Sequence, residues 1–258
     1  MNLAINKQLF IVGGATSGLG KAIVNELLKE GASIIAIARG REQLLDLHKQ
    51  APEQVEILAG DLSKPEILNQ LISLVGDRQI HGILVNAGGP PAKTVLETTL
   101  KDWDDAYQLL LRWKVALMQV FIPKMTAYRY GRIVFIESVA VKQPIENLVL
   151  SNSLRLAVVG MVKTLSQEIA GSGITLNILA PGSHDTPAVN RLYQKKSAQT
   201  GHSFEEVKAA SIRQLPAGVL GDPADFASLA VWLLCPMSRS VTGQTITVDG
   251  GTVKGTFG

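Results

Sequence analysis

The segment Gly13-Gly14-Ala15-Thr16-Ser17-Gly18-Leu19-Gly20 has the residue types and spacing to hold a phosphate. It follows the apolar run Leu9–Val12 and opens an amphipathic stretch, Gly18–Glu30, with Ile23, Leu27 and Leu28 on one face. Gly14 permits a tight turn, Gly18 lets backbone approach a pyrophosphate, and Gly20 lets helix and strand pack closely. A helix N-terminus adds unpaired N–H groups and the positive end of its dipole. A glycine cluster alone is weak evidence; between the first strand and first helix of a βαβ unit it is strong. The expected contacts are Gly14, Thr16, Ser17, Gly18, Leu19 and Gly20.

A second chemical signal ends the next apolar run, which reads Ile37-Ala38-Arg39-Gly40-Arg41. An acidic residue there would bind a ribose 2′-hydroxyl, whereas an arginine accommodates a 2′-phosphate. No acid is present, and Arg39 is placed for a bidentate phosphate contact. The alternative, that Arg39 and Arg41 are ordinary solvated charges, is weakened because a cation at a helix start opposes the helix dipole. The sequence therefore favours NADP(H) over NAD(H). No metal site is expected: Cys235 is the only cysteine, which excludes an intrachain disulfide or a multi-cysteine metal site, and it reads as a buried thiol.

These residues must be positioned by regular elements, and the pattern supplies them. Apolar runs at Ser33–Ala38, Val55–Ala59, Gly82–Asn86, Arg132–Glu137, Thr175–Leu179 and Thr245–Asp249 read as further strands. Helical stretches alternate with them: Arg41–Gln50, Pro65–Gly76, Leu100–Tyr128 with a break near Pro123, Ser151–Ala170 and Pro223–Leu234. Strand–helix alternation predicts an α/β fold with a doubly wound parallel sheet of Rossmann type, in one domain spanning 1–258. The chain is 46% hydrophobic, enough for one large core without a second domain. The segment at about 182–221 is the least regular and is expected to form a substrate lid, with Arg191–Thr200 helical.

The net charge of +3, with no long basic run, gives no reason to expect nucleic acid as a partner. No stretch has the length of a membrane span or the form of a signal peptide, so a cytoplasmic protein without membrane contact is expected.

The glycine turn resembles the T-G-x-x-x-G-x-G turn of the short-chain dehydrogenase/reductase family, with Gly13 in place of threonine. Further matches follow in order along nearly the whole chain. Asp61-Leu62 resembles the family's adenine-contacting motif, and Asn86-Ala87-Gly88-Gly89 its N-A-G signature. Ser138 falls where the family has its catalytic serine, and Pro181-Gly182 through Thr186 resembles its nicotinamide-contacting P-G-x-x-x-T segment. Thr242-Gly243-Gln244 and Val248-Asp249-Gly250-Gly251 resemble its C-terminal motifs. The resemblance implies an NADP(H)-dependent oxidoreductase acting on a small carbonyl or alcohol, assembled as a homo-oligomer (a dimer or a homotetramer).

One departure is chemical. The family carries Tyr-x-x-x-Lys on the helix after its serine, and the same register here reads Ser151-Asn152-Ser153-Leu154-Arg155. Ser151 and Arg155 share a helix face, with Leu154, Val158, Met161, Val162 and Leu165 expected on the opposite, buried face. A phenol near pKa 10 can protonate a carbonyl oxygen; a serine hydroxyl is a far weaker acid, and arginine does not deprotonate. Ser138, Ser151, Arg155 and Lys142 are thus the candidate catalytic set, Arg155 also as a ribose contact. Tyr193 and His184 are weaker substitutes for the missing acid, and the family's helix asparagine has no evident counterpart in Leu111-Arg112-Trp113-Lys114-Val115. Two other readings stay open: a catalytically silent NADP-binding sensor or partner subunit, and a lyase or isomerase on the same scaffold.

Overall fold

In the computed structural model, which describes residues 2–256, seven parallel strands form one sheet in the order β3-β2-β1-β4-β5-β6-β7. β1 (Leu9–Gly13), β2 (Ser33–Ala38) and β3 (Val55–Ala59) build one half; β4 (Gly82–Asn86), β5 (Gly131–Ile136), β6 (Ile174–Pro181) and β7 (Thr245–Val248) build the other. All six pairings are parallel, for example Ile11 beside both Ile35 and Ile83.

Parallel strands need crossovers, and helices supply them on both faces of the sheet. Alternate residues of each strand point to opposite sides, so Phe10 and Val12 join one core layer while Leu9 and Ile11 join the other. The first layer is closed by α1 (Gly18–Lys29), α2 (Arg41–Gln50) and α9 (Pro223–Leu234), through Ile23, Leu27, Leu44 and Phe226. The second is closed by α3 (Pro65–Val75), α5 (Trp113–Tyr128) and α6 (Val149–Glu168), through Leu71, Leu117, Phe121, Val158 and Val162. Apolar side chains on both faces explain why the strands read as continuous hydrophobic runs. Cys235 lies buried at the end of α9, where its carbonyl accepts from Arg132 Nε at 3.2 Å.

Three details differ from the sequence expectation. The long helix does not break at Pro123, which sits inside α5. Its irregularity lies earlier: α4 (Leu100–Tyr107) passes into a π-helical segment, Gln108–Arg112, before α5 begins. Second, the buried stripe of α6 runs Ser151, Arg155, Val158, Val162, Ser166, so the polar pair shares the buried face instead of opposing it. Third, the 182–221 segment holds two helices, α7 (Pro187–Thr200) and α8 (Phe204–Arg213), and only the first was anticipated. Its base is pinned by a parallel bridge between His184 and Gly221. Among the described residues, no helix is long and apolar enough to cross a membrane.

Candidate active site

The chain reverses its strand order between β1 and β4, and in open α/β sheets the crevice beyond the strands' carboxyl ends at such a point receives the ligand. The glycine turn stands there. Gly14 has φ +66° and Gly18 φ +52°, conformations that side-chain-bearing residues rarely adopt. A Cβ added at Gly20 would lie 2.2 Å from the carbonyl oxygen of Gly14, so the third glycine is required by the close packing of turn on helix. The first turn of α1 contains no acid, and its N-cap, Ser17, makes no side-chain capping bond. The positive end of this helix is therefore left open to an anion.

The other cradle residues converge on the same edge. Asn86, at the end of β4, backs the turn: its Nδ2 would lie 2.6 Å from a Cβ at Gly14 and 3.2 Å from one at Gly20. Thr186 presents its methyl 3.5 Å from a Cβ at Gly18, while its Oγ1 caps α7 by accepting from Val189 N. Pro181 ends β6, and Gly182 packs against Asp249. Arg39, just after β2, is exposed and makes no ion pair among the described residues. Asp61 folds the loop after β3 by accepting from Ser63 N at 2.9 Å, and Leu62 lines a separate cavity of about 350 Å³ with Pro65, Leu68 and Trp113.

Beyond β4 and β5 lies a buried charged cluster. Arg155 reaches from α6 and donates through Nε to Ser151 Oγ (3.1 Å), through one terminal nitrogen to Glu137 Oε2 (2.8 Å), and through the other to Gly88 O (3.1 Å). It thereby ties its own helix to the ends of β5 and β4. The second oxygen of Glu137 is held by Lys114 Nζ from α5, and both of those side chains are fully buried. Burial pushes the Lys114 ammonium below the ordinary lysine range, while Glu137 pulls it back up and Arg155 pushes it down. Ser138 follows Glu137 directly, and its hydroxyl accepts from Ala140 N at 3.2 Å, starting the short 3₁₀ turn Val139–Val141.

The structure thus brings together Ser138, Ser151 and Arg155, and adds two residues that the sequence reading missed, Glu137 and Lys114. Lys142 follows the 3₁₀ turn and is half-buried. Tyr193 and His184 are not free to swing into the crevice. His184 is buried edge-on against Phe226, with centroids 5.2 Å apart, and its Nδ1 lies 3.2 Å from Gly182 O. Tyr193 is buried between α7 and α8 with its ring edge toward Phe204. Among the described residues, no group of His, Cys, Asp or Glu is arranged to hold a metal ion.

A doubly wound parallel sheet with a glycine turn at its switch point defines a nucleotide-binding α/β protein of Rossmann type. The chain belongs to the short-chain dehydrogenase/reductase family: the family model described as enoyl-(acyl carrier protein) reductase matches residues 14–253. The 3-oxoacyl-[acyl-carrier-protein] reductase FabG of Rickettsia bellii is 29% identical over 247 residues, covering 96% of this chain and 97% of that protein. Dehydrogenase/reductase SDR family member 6 of Rattus norvegicus is 27% identical, covering 95% and 96%. Among solved structures, L-sorbose reductase from Gluconobacter frateurii, complexed with NADPH and L-sorbose, superposes with a TM-score of 0.92 at 25% identity, covering 99% of this chain and all of that one. An actinorhodin polyketide ketoreductase with NADPH gives 0.89 at 28% identity, covering 96% and 98%.

Proposed function

We propose that this protein is an NADP(H)-dependent oxidoreductase that interconverts a small carbonyl compound and its alcohol, and that it holds the reacting oxygen with Ser138 and Ser151 in place of a phenol. The observation that carries this reading is the hydrogen-bonded chain Ser151–Arg155–Glu137–Lys114 beside Ser138, at the mouth of an intact glycine cradle. The relatives and structural neighbours named as reductases, two of them holding NADPH, support it.

The residues fit the cofactor. The open N-terminus of α1, with Gly14, Thr16, Ser17, Gly18, Leu19 and Gly20, is assigned to the pyrophosphate, and exposed Arg39 to the 2′-phosphate. Asp61 and Leu62 are assigned to the adenine side. Asn86, Ala87, Gly88, Arg155, Pro181, Gly182 and Thr186 are assigned to the nicotinamide side. Bound NADPH supplies the hydride. The chain's own part is electrostatic: in the register where the family carries Tyr-x-x-x-Lys, Ser151 Oγ accepts from Arg155 Nε and so turns its own proton outward, toward a substrate oxygen. Arg155 supplies positive charge as that oxygen gains negative charge. The proton reaches the oxygen from solvent or from Lys142, and the segment 182–221 closes over the substrate.

NADPH oxidation by the S151A and S138A variants, measured against a panel of small aldehydes and ketones, tests the reading. Each variant is expected to lose roughly 10²-fold in kcat/KM, as when one oxyanion donor is removed, with NADPH affinity unchanged. Undiminished turnover by S151A would overturn the assignment, and undiminished turnover by K142A would remove Lys142 as the acid. Ser151 and Arg155 in the register of the family's Tyr-x-x-x-Lys favour one rival, a silent NADP-binding protein, and turnover of any carbonyl in the panel dismisses it.

A further inference from the structure

Among the described residues Lys114 is the most buried cation, with no exposed surface, whereas Arg132 and Arg155 keep 4% and 6%. It sits in an otherwise apolar stretch of α5 with Trp113, Leu117, Met118 and Phe121, directly after the π-helical segment Gln108–Arg112. π-bulges occur frequently at functional sites. A buried ion pair gives no net stability over well-packed apolar residues of similar volume, so core packing alone does not account for a lysine here.

The charged groups that act on its ammonium are Glu137, from the end of β5, and Arg155, from α6. The charged residues of α4, which packs on α6, are directed elsewhere: Lys101 pairs with Asp105, Asp102 pairs with Lys93, and Asp104 is exposed. Arg155 cannot release its proton, and Glu137 has a cation against each of its oxygens. Lys114 is therefore the member of the cluster free to change charge.

We infer that Lys114 is a positioning residue that sets the charge of the site. Protonated, it engages one oxygen of Glu137, and the cluster of two cations and one carboxylate presents a net positive charge behind Ser151. Deprotonated, it leaves Glu137 and Arg155 to neutralise each other, and the charge available to a developing oxyanion disappears. This rests on the proposed oxidoreductase reading and deepens it: carbonyl reduction falls as pH rises through the Lys114 pKa. The lowered pKa produced by burial brings that change toward the working range.

Two measurements on the full chain test this. The first follows the Cε resonances of ¹³C-lysine-labelled protein with NADP⁺ bound, across pH. The Lys114 signal, identified by its loss in K114M and K114R, is expected to titrate below the exposed lysines, in the direction burial dictates. The second follows kcat/KM for NADPH-driven reduction of 2,3-butanedione. Wild type is expected to fall as pH rises through the Lys114 pKa and to level off near the K114M rate. K114R, which keeps its charge, should hold its plateau, and K114M should be about tenfold or more slower with no alkaline limb. Should K114R fail to fold, K114M alone decides. Titration of Lys114 together with the exposed lysines, or an alkaline limb unchanged in K114M, overturns the inference. If wild type turns over no 2,3-butanedione at any pH, that counts against the oxidoreductase reading, and the resonance titration, which needs no substrate, still decides whether Lys114 titrates in the site.

Discussion

Replacing Glu137 by glutamine removes one charge from the centre of the buried cluster and almost none of its volume. Among the described residues, Lys114 and Arg155 each lose their only carboxylate partner, and two cations are left facing one another. Breaking a buried pair by removing one partner costs about 3–5 kcal/mol. The fold has one escape, because Lys114 can give up its proton. Moving a lysine from its ordinary pKa to neutrality at pH 7 costs at most about 4–5 kcal/mol, at roughly 1.4 kcal/mol per unit, and less for Lys114, which burial already lowers, but this route still leaves Arg155 without its carboxylate. The E137Q variant is therefore expected to lose about 3–5 kcal/mol of unfolding free energy. For a chain of this size that corresponds to roughly 6–20 °C in Tm. Urea unfolding at pH 7, followed by circular dichroism with the m-value checked against wild type, measures the loss. Adding K114M to E137Q removes one of the two uncompensated cations and their mutual repulsion, and the double variant is expected to be more stable than the sum of the single changes by about 1–3 kcal/mol. A loss below about 1 kcal/mol for E137Q, the range of an exposed pair, would refute the claim that these charges are held in a dry cluster.

Two further outcomes follow from the same geometry. The G20A variant places a Cβ against the Gly14 carbonyl, so the turn must shift; it is expected to lose NADPH binding in a fluorescence titration and about 1–3 kcal/mol of stability. His184, packed on Phe226, has its pKa lowered from 6.5 by burial, so the folded chain keeps it neutral while the unfolded chain takes up a proton as pH falls below that value. Wild type should then lose stability relative to H184Q between pH 7 and pH 5, by at most about 1.4 kcal/mol per unit, and a flat difference across that range contradicts the assignment.

The strands were legible in the sequence because a parallel sheet covered on both faces writes itself as apolar runs, as Ser33–Ala38 does without ambiguity at either end. The glycine turn was legible because Gly14 and Gly20 do things that no other residue can do there. The π-helical segment was not, since Leu109, Leu110 and Leu111 in succession erase the periodicity that would mark a change of helix type. Pro123 is a stronger local signal, yet α5 runs through it to Tyr128. The buried face of α6 was misjudged for a related reason: a serine and an arginine read as polar, and only the partners on β4 and β5 make that face an interior one. Glu137 and Lys114 lie 23 residues apart on different elements, so no local pattern joins them. The available signal was a lone lysine amid Leu110, Trp113, Leu117, Met118 and Phe121, all buried.

The most direct test of the account is a pair of fluorescence titrations, with NADPH and with NADH, of wild type and of R39A. Arg39 is exposed just after β2 and makes no ion pair among the described residues, and a charge-assisted contact to a 2′-phosphate is worth about 1.5–3 kcal/mol, or roughly 10–150-fold in Kd. Wild type is expected to bind NADPH tighter than NADH by that factor, and R39A to close the gap by losing NADPH affinity alone. Failure of wild type to bind either nucleotide, or a preference for NADH that R39A leaves unchanged, would contradict the account.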